Sequence, residues 1–172
     1  TGKSTLLNSI IKEKVAIISS KPQTTRNLIQ GIYNEEDTQI VFVDTPGIHK
    51  PVDKLGVALN AQAYYSINDV DVVLFVCDAS AKYGKGDQFI IDKLANIEKP
   101  VFLILNKIDK LTDDEILLKI NEYKDVKSEP LTAFCIHSSS YVSDVCKTIN
   151  NVDDIRFSCN EDLSTGVYHC FN

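Results

Sequence analysis

Three short polar clusters in this sequence have residue types and spacing suited to holding a phosphorylated ligand. The chain opens on Thr1-Gly2-Lys3-Ser4-Thr5, which reads as the second half of a GxxxxGK[S/T] phosphate loop. In such a loop successive backbone N–H groups point inward around a phosphate, and glycine allows the close approach. The Lys3 ammonium is placed to reach the β- and γ-phosphates and the Ser4 hydroxyl to occupy one position on Mg²⁺. The helix that follows offers its positive end to the anion. Taken alone, the cluster also suits an ordinary polar helix start. The second cluster is Asp44-Thr45-Pro46-Gly47, directly after the apolar run Ile40-Val41-Phe42-Val43. A carboxylate ending a buried strand stands where open α/β sheets bind ligands. Asp44 can hold Mg²⁺ through water, and the Gly47 N–H can meet a γ-phosphate. The bland alternative is a strand-ending turn.

The third cluster, Asn106-Lys107-Ile108-Asp109, follows Phe102-Leu103-Ile104-Leu105. The Asp109 carboxylate can accept from N1–H and the 2-amino group of guanine. Adenine lacks that donor pair and would leave the carboxylate unpaired. Asn106 can tie the base edge to the phosphate loop, and the Lys107 stem can cover the base face. A fourth segment, Lys21-Pro22-Gln23-Thr24-Thr25-Arg26, lies where a mobile loop can fold over a nucleotide. A threonine there can complete the Mg²⁺ shell when a γ-phosphate is present and let go afterwards. Thr25 is favoured over Thr24 for that role.

These clusters need elements to position them. A helix is expected from Leu6 to Lys12, beginning at the phosphate motif. Leu28–Tyr33 and Thr38–Val43 flank Asn34-Glu35-Glu36-Asp37 and read as a hairpin. Val70–Val76 and Val101–Leu105 are near-continuous apolar runs suited to strands buried on both faces of a parallel sheet. Phe89, Ile90, Leu94 and Ile97 recur at helical spacing between them. Thr112-Asp113-Asp114-Glu115 predicts a capping box opening a helix to about Tyr123. Leu131–His137 is a weaker strand candidate and Val142–Ile149 a weaker helix candidate. The alternation of strands with crossover helices implies an α/β fold.

The 172 residues suffice for one domain with a real core, and 44% hydrophobic with 24% charged residues is a globular balance. No apolar run approaches the roughly 20 residues of a membrane helix, and no secretory signal is seen. A net charge of −6 argues against holding nucleic acid by field strength alone. Five cysteines (Cys77, Cys135, Cys146, Cys159, Cys170) without a CxxC pair make a disulfide framework unexpected. Cys77 reads as a buried small hydrophobe. There is no methionine, so Thr1 is not expected to be the natural start.

In order and wording, GKST, QTTR, DTPG and NKID resemble the Era-type bacterial ribosome-assembly GTPases, a class related to TrmE. The likeness runs through LLNSIIKEKVAIIS, KPQTTRN, FVDTPGIHKP and GDQFI and covers about residues 1–125. It implies a P-loop NTPase fold with a doubly wound, mostly parallel sheet and one antiparallel hairpin strand. The first strand and the start of the phosphate loop are missing from this sequence. It also implies GTP/GDP and Mg²⁺ as ligands, with Gly2, Lys3, Ser4, Thr5, Asp44 and Gly47 at the phosphates and metal. Lys3, Thr25 and Gly47 carry catalysis, Ser4, Thr25 and Asp44 face the metal, and Asn106, Lys107 and Asp109 read the base. The base-backing segment is assigned to Ser138 and Ser139 within Ser138-Ser139-Ser140, with Ser143-Asp144-Val145 as rival. The implied partners are the small ribosomal subunit and its 16S rRNA, in a cytoplasmic monomer able to associate peripherally with the inner membrane.

Residues 126–172 depart from the pattern. They hold four of the five cysteines, many serines and poor hydrophobic periodicity, and no KH-type GxxG loop with basic neighbours follows. They are expected to be a divergent, partly disordered or frame-shifted end. RNA binding by the chain as it stands is therefore not expected. Many GTPases orient the attacking water with a glutamine after the DxxG glycine. Here that position is Ile48, so slow intrinsic hydrolysis is expected, with help from a partner, a monovalent cation or another loop. His49 reads better as a surface residue than as a base, and Arg26 better as a solvated residue than as an internal finger. Competing readings are a guanine-nucleotide-binding module without turnover and an inactive fragment.

Overall fold

The computed structural model describes residues 1–18, 25–35, 38–124, 131–135, 160–162 and 167–170. The chain forms two compact units, Gly2–Val70 and Asp71–Asn172, the latter joined by Thr1.

In the first unit, α1 spans Lys3–Ile11 and buries Leu6, Leu7 and Ile10. It starts three residues earlier than the apolar periodicity indicated, because Gly2 at φ 88° turns the chain directly into the helix and its carbonyl accepts from the Leu6 N–H at 2.9 Å. Lys12 ends it in the left-handed region at φ 60°. The Asn8 side chain then fixes the exit, accepting from Val15 and Ala16 N–H at 3.0 and 2.8 Å and donating to the Ala16 carbonyl at 2.9 Å.

Strands β1 (Ile29–Glu35) and β2 (Thr38–Asp44) form an antiparallel hairpin in the register Ile29↔Asp44 to Glu35↔Thr38. Pairing continues beyond the expected limit, into Asn34 and Glu35, so the connection is two residues and not four. At Gly31 a Cβ would lie 3.1 Å from both Leu7 Cδ1 and Ile11 Cγ1 of α1, so a larger residue there would require those side chains to shift. Helix α2 spans Lys54–Asn68, capped by Asp53, whose Oδ1 accepts from the Gly56 N–H at 2.7 Å.

The second unit holds a five-stranded sheet in the order β3-β4-β5-β7-β6. Strands β3 (Val73–Asp78), β4 (Val101–Asn106) and β5 (Leu131–Cys135) are parallel. Strands β6 (Asn160–Asp162) and β7 (Val167–Cys170) add antiparallel pairs in a stretch the sequence left unassigned. Val101 to Leu105 are all buried and form the centre of this unit's core, each contributing about 1.5–3 kcal/mol on the usual area scale. Cys77 is buried beside them, its thiol pushed up to about 12 by burial.

Helix α3 (Lys85–Leu94) connects β3 to β4. Its entry is held by Asp87, which accepts from the Gly84 N–H at 3.0 Å. Helix α4 (Asp113–Lys124) connects β4 to β5 and opens on the expected capping box. Glu115 Oε2 accepts from the Thr112 N–H at 2.8 Å, and the Glu115 N–H donates to Thr112 Oγ1 at 3.4 Å. The fold is α/β with parallel strands and an antiparallel hairpin, and the hairpin forms a sheet of its own. Among the described residues no helix is long and apolar enough to cross a membrane.

Candidate functional site

In the Gly2–Val70 unit, residues far apart in sequence meet at one carboxylate. Asp44, 6% exposed at the end of β2, accepts on Oδ2 from Ser4 Oγ at 2.6 Å and from Thr25 Oγ1 at 3.1 Å. The two hydroxyls lie 3.2 Å apart. Strand β2 delivers Asp44 and the first turn of α1 delivers Ser4. Thr25 is buried where the chain enters β1; Thr24 lies outside the described residues. Two hydroxyls and a carboxylate are an all-oxygen donor set, the kind hard cations such as Mg²⁺ take. Among the described residues no three His, Cys, Asp or Glu side chains cluster as a metal cage.

Lys3 stands beside this group. Burial lowers its ammonium below the ordinary lysine range, and the charge of Asp44 pulls the other way. A half-buried cation with one carboxylate nearby favours added negative charge. Gly47 lies close to it: a Cβ at Gly47 would sit 3.5 Å from Lys3 Nζ. Pro46 is fully buried and anchors the loop, while Thr5 faces solvent. Beyond Gly47 the loop is tied down. The His49 N–H donates to Asn60 Oδ1 at 3.3 Å, Asn60 Nδ2 donates to the His49 carbonyl at 2.6 Å, and His49 Nδ1 lies 3.1 Å from the Gly47 carbonyl. Ile48 between them is half-buried.

In the other unit the cluster expected to read the base sits at the C-terminal ends of neighbouring parallel strands, where Asp78 of β3 pairs in register with Asn106 of β4. Asn106 Oδ1 accepts from the Lys107 N–H at 2.9 Å, and its Nδ2 donates to the Thr1 carbonyl at 2.8 Å. Lys107 adopts φ 67°, a left-handed turn that sends the chain into the short 3-10 turn Ile108–Lys110. Ile108 is buried and Asp109 exposed. The Lys107 ammonium is bound by Asp78 Oδ2, whose Oδ1 accepts from Ser80 Oγ at 2.6 Å. Burial alone would raise the Asp78 carboxyl; hydrogen bonds from Lys107 and Ser80 overcome that and hold it below the usual carboxylate range.

Asp78 and Asn60 were not singled out from the sequence. Both are isolated polar residues with no motif around them, and the only available signal was their register: one ends an apolar run, the other lies on the inner stripe of a helix. Ser138, Ser139 and the rival Ser143-Asp144-Val145 lie outside the described residues.

The family described as 50S ribosome-binding GTPase matches residues 1–107. The chain is 57% identical over 119 residues to GTPase Era of Alkaliphilus metalliredigens (strain QYMF), covering 69% of this chain and 40% of that protein. Among solved structures, it is similar to Era in complex with MgGDPNP and nucleotides 1506-1542 of 16S ribosomal RNA, at TM-score 0.77 and 35% identity over 87% of this chain and 52% of that one. A variant of Aquifex aeolicus Era bound to GDP.AlF4- gives TM-score 0.76 at the same identity and coverage. This chain thus spans 40% of the length of the curated relative it matches.

Proposed function

This chain belongs to the 50S ribosome-binding GTPase family and has its P-loop GTPase fold, and from that premise we propose that it is the nucleotide-handling part of an Era-like switch. It binds GTP, hydrolyses it to GDP and phosphate, and serves small-subunit maturation on 16S ribosomal RNA. The observation that carries this reading is the meeting of Ser4, Thr25 and Asp44 within hydrogen-bond distance of one another. Three separate motifs supply those groups, and a triphosphate-bound Mg²⁺ uses such a set.

The roles follow from chemistry and position. The amides from Gly2 to Thr5 and the Lys3 ammonium take the β- and γ-phosphates. Ser4, Thr25 and, through water, Asp44 hold Mg²⁺, which when bound neutralises charge on the phosphate oxygens. The Gly47 N–H donates to the γ-phosphate. Water attacks the γ-phosphorus, the bond to the β,γ-bridging oxygen breaks, GDP departs and the water's proton passes to solvent. Catalysis by this chain's residues is positioning and charge neutralisation at Lys3, Thr25 and Gly47. Ile48 has no group to orient water, so unassisted turnover is slow, and a partner, a monovalent cation or another loop raises it.

Asp109 accepts from the guanine edge, Lys107 covers the base face, Asn106 ties the cluster to Thr1, and Ser138 and Ser139 back the base. What favours 16S RNA over the 50S particle of the family description is the 57% likeness to Era together with the Era structure that carries 16S RNA. By the resemblance of its motifs to Era-type GTPases alone, we propose a cytoplasmic monomer able to associate peripherally with the membrane. Phosphate release by the full-length protein tests the reading: Ser4→Ala should lower magnesium-dependent GTP turnover by about 100-fold. Turnover unchanged by that substitution would reject it.

A further inference from the structure

We infer that the outer edge of strand β1 is a self-association surface, where β1 of a second copy of this chain pairs antiparallel about Ile32. The inference stands apart from the nucleotide chemistry proposed above.

Strand β1 is paired on one side. Among the described residues its strand partner is β2 alone. The connection after Glu35 is two residues, so Glu35 and Thr38 close the hairpin as a hydrogen-bonded pair. Alternation then turns the main-chain groups of Ile29, Gly31 and Tyr33 toward β2, and those of Gln30, Ile32 and Asn34 away from it. Such an edge is a template for another strand, and folded proteins guard it with lysine, proline, a bulge or a short span. β1 has none of these guards. It runs for seven residues, Ile29–Glu35, in unbroken register and without lysine, arginine or proline.

What fits this edge is its own copy. A two-fold axis through Ile32 sets Ile32 opposite Ile32, and Gln30 opposite Asn34 of the second copy. Those are the residues whose main-chain groups face outward, so each N–H and C=O meets a partner. The side chains agree with that register. Ile32 is 53% exposed, and Val41, opposite it in the hairpin, is 49% exposed. The pairing joins both isoleucines and both valines in one apolar row. Asn34 Oδ1 accepts from Gln39 Nε2 at 2.8 Å, which leaves Asn34 Nδ2 to donate to Gln30 of the second copy. Charge favours the same seam. Two copies at net −6 repel each other, yet residues 28–34 carry no charge. Glu35 falls opposite Ile29 and does not face its counterpart. The seam is about 23 Å long, a strip well short of the roughly 1,200 Å² that a stable dimer buries. The protein is therefore monomeric when dilute and pairs at about 0.1 mM and above.

Sedimentation equilibrium on the full-length protein, from about 10 μM to about 1 mM, tests this. The unaltered protein should show a monomer–dimer equilibrium that tightens as salt rises, because screening relieves the repulsion between copies. Ile32→Lys and Ile32→Glu should each weaken pairing about tenfold or more, by setting like charges opposite one another. An equimolar mixture of the two variants should restore it, since the charges then match. Val57→Lys, at an exposed apolar residue of α2, should leave it unchanged. A monomer throughout that range, a dimer indifferent to both Ile32 variants, or a mixture that stays monomeric would overturn the inference. Equal loss in Val57→Lys would overturn it too, as the mark of unspecific stickiness. If the Ile32 variants fail to fold, hydrogen exchange on the unaltered protein decides. Residues 29–35 should gain protection as concentration rises, and no gain would overturn the inference.

Discussion

The phosphate-side cluster and the base-side cluster are built on different principles. Around Asp44, side-chain hydroxyls satisfy a carboxylate that belongs to none of them in sequence, and the cation nearby is lowered from its ordinary range by burial. Under the proposed function these bonds give way to those of a phosphate and its metal. Around Asp109 the arrangement is fixed beforehand. The fully buried strand β4 ends in Asn106, Lys107 is committed to a left-handed turn, and Asp78 ties its ammonium down. Under the proposed function such a site pays its ordering cost during folding. Under the proposed function the work is divided: the Asp109 cluster selects the base and the Asp44 cluster responds to the phosphate count.

The largest effect that can break this division is at Asp109. Asp109→Asn should weaken GTP binding by about 100-fold or more and shift preference to xanthosine nucleotides, because a designed hydrogen-bond match is lost; competition binding with GTP and XTP measures it. Lys3→Ala should reduce both GDPNP affinity and turnover by about 100-fold through loss of the phosphate's counter-charge, and GDP less strongly, which fluorescent-nucleotide titration resolves. Ile48→Gln should raise unassisted turnover by about tenfold if water orientation is what the native side chain lacks; equal fast turnover by both proteins without additive would count against it.

Asp78→Ala should speed dissociation of GDP and GDPNP alike by about tenfold, since it frees Lys107 without touching the phosphates. A selective effect on GDPNP would blur the proposed division. The smallest effect is on stability. A carboxyl held below its ordinary value of 3.8 stabilises the folded state above that value and ceases to as pH falls through the lower folded value. The melting-temperature deficit of Asp78→Asn relative to the parent should therefore be present at neutral pH and fade as pH falls below that ordinary value through the lower folded one.

The sequence announced the site better than the frame that carries it. Strand β4 was legible because a run of five apolar residues buried on both faces leaves little ambiguity, and α4 because Thr112 and Glu115 are a capping box with its own spacing. Helix α2 was not legible. Its buried stripe is Gly56, Leu59, Asn60, Ala63 and Ser66, while Leu55, Val57 and Tyr65 face outward. Hydrophobic periodicity tracks large apolar residues, and here small and polar ones face inward to approach neighbouring backbone closely. Strand β3 starts three residues later than its apolar run, since Val70 and Asp71 lead in from α2 before pairing with Val101 begins at Val73. Asp78 bonds Lys107, 29 residues on, and Asn60 bonds the His49 backbone, 11 residues back, pairings that no local spacing encodes. The extension of the hairpin into Asn34 and Glu35 went unread for the opposite reason, as turn-forming residue types there are overruled by strand pairing.

The most direct test of the account is calorimetry of the full-length protein with magnesium and, in parallel, GDPNP and the adenosine analogue ADPNP. A guanine-reading Asp109 should give preference for the guanosine compound by a margin of about 100-fold or more, with the margin abolished in Asp109→Asn. Equal affinity for the two analogues would contradict it.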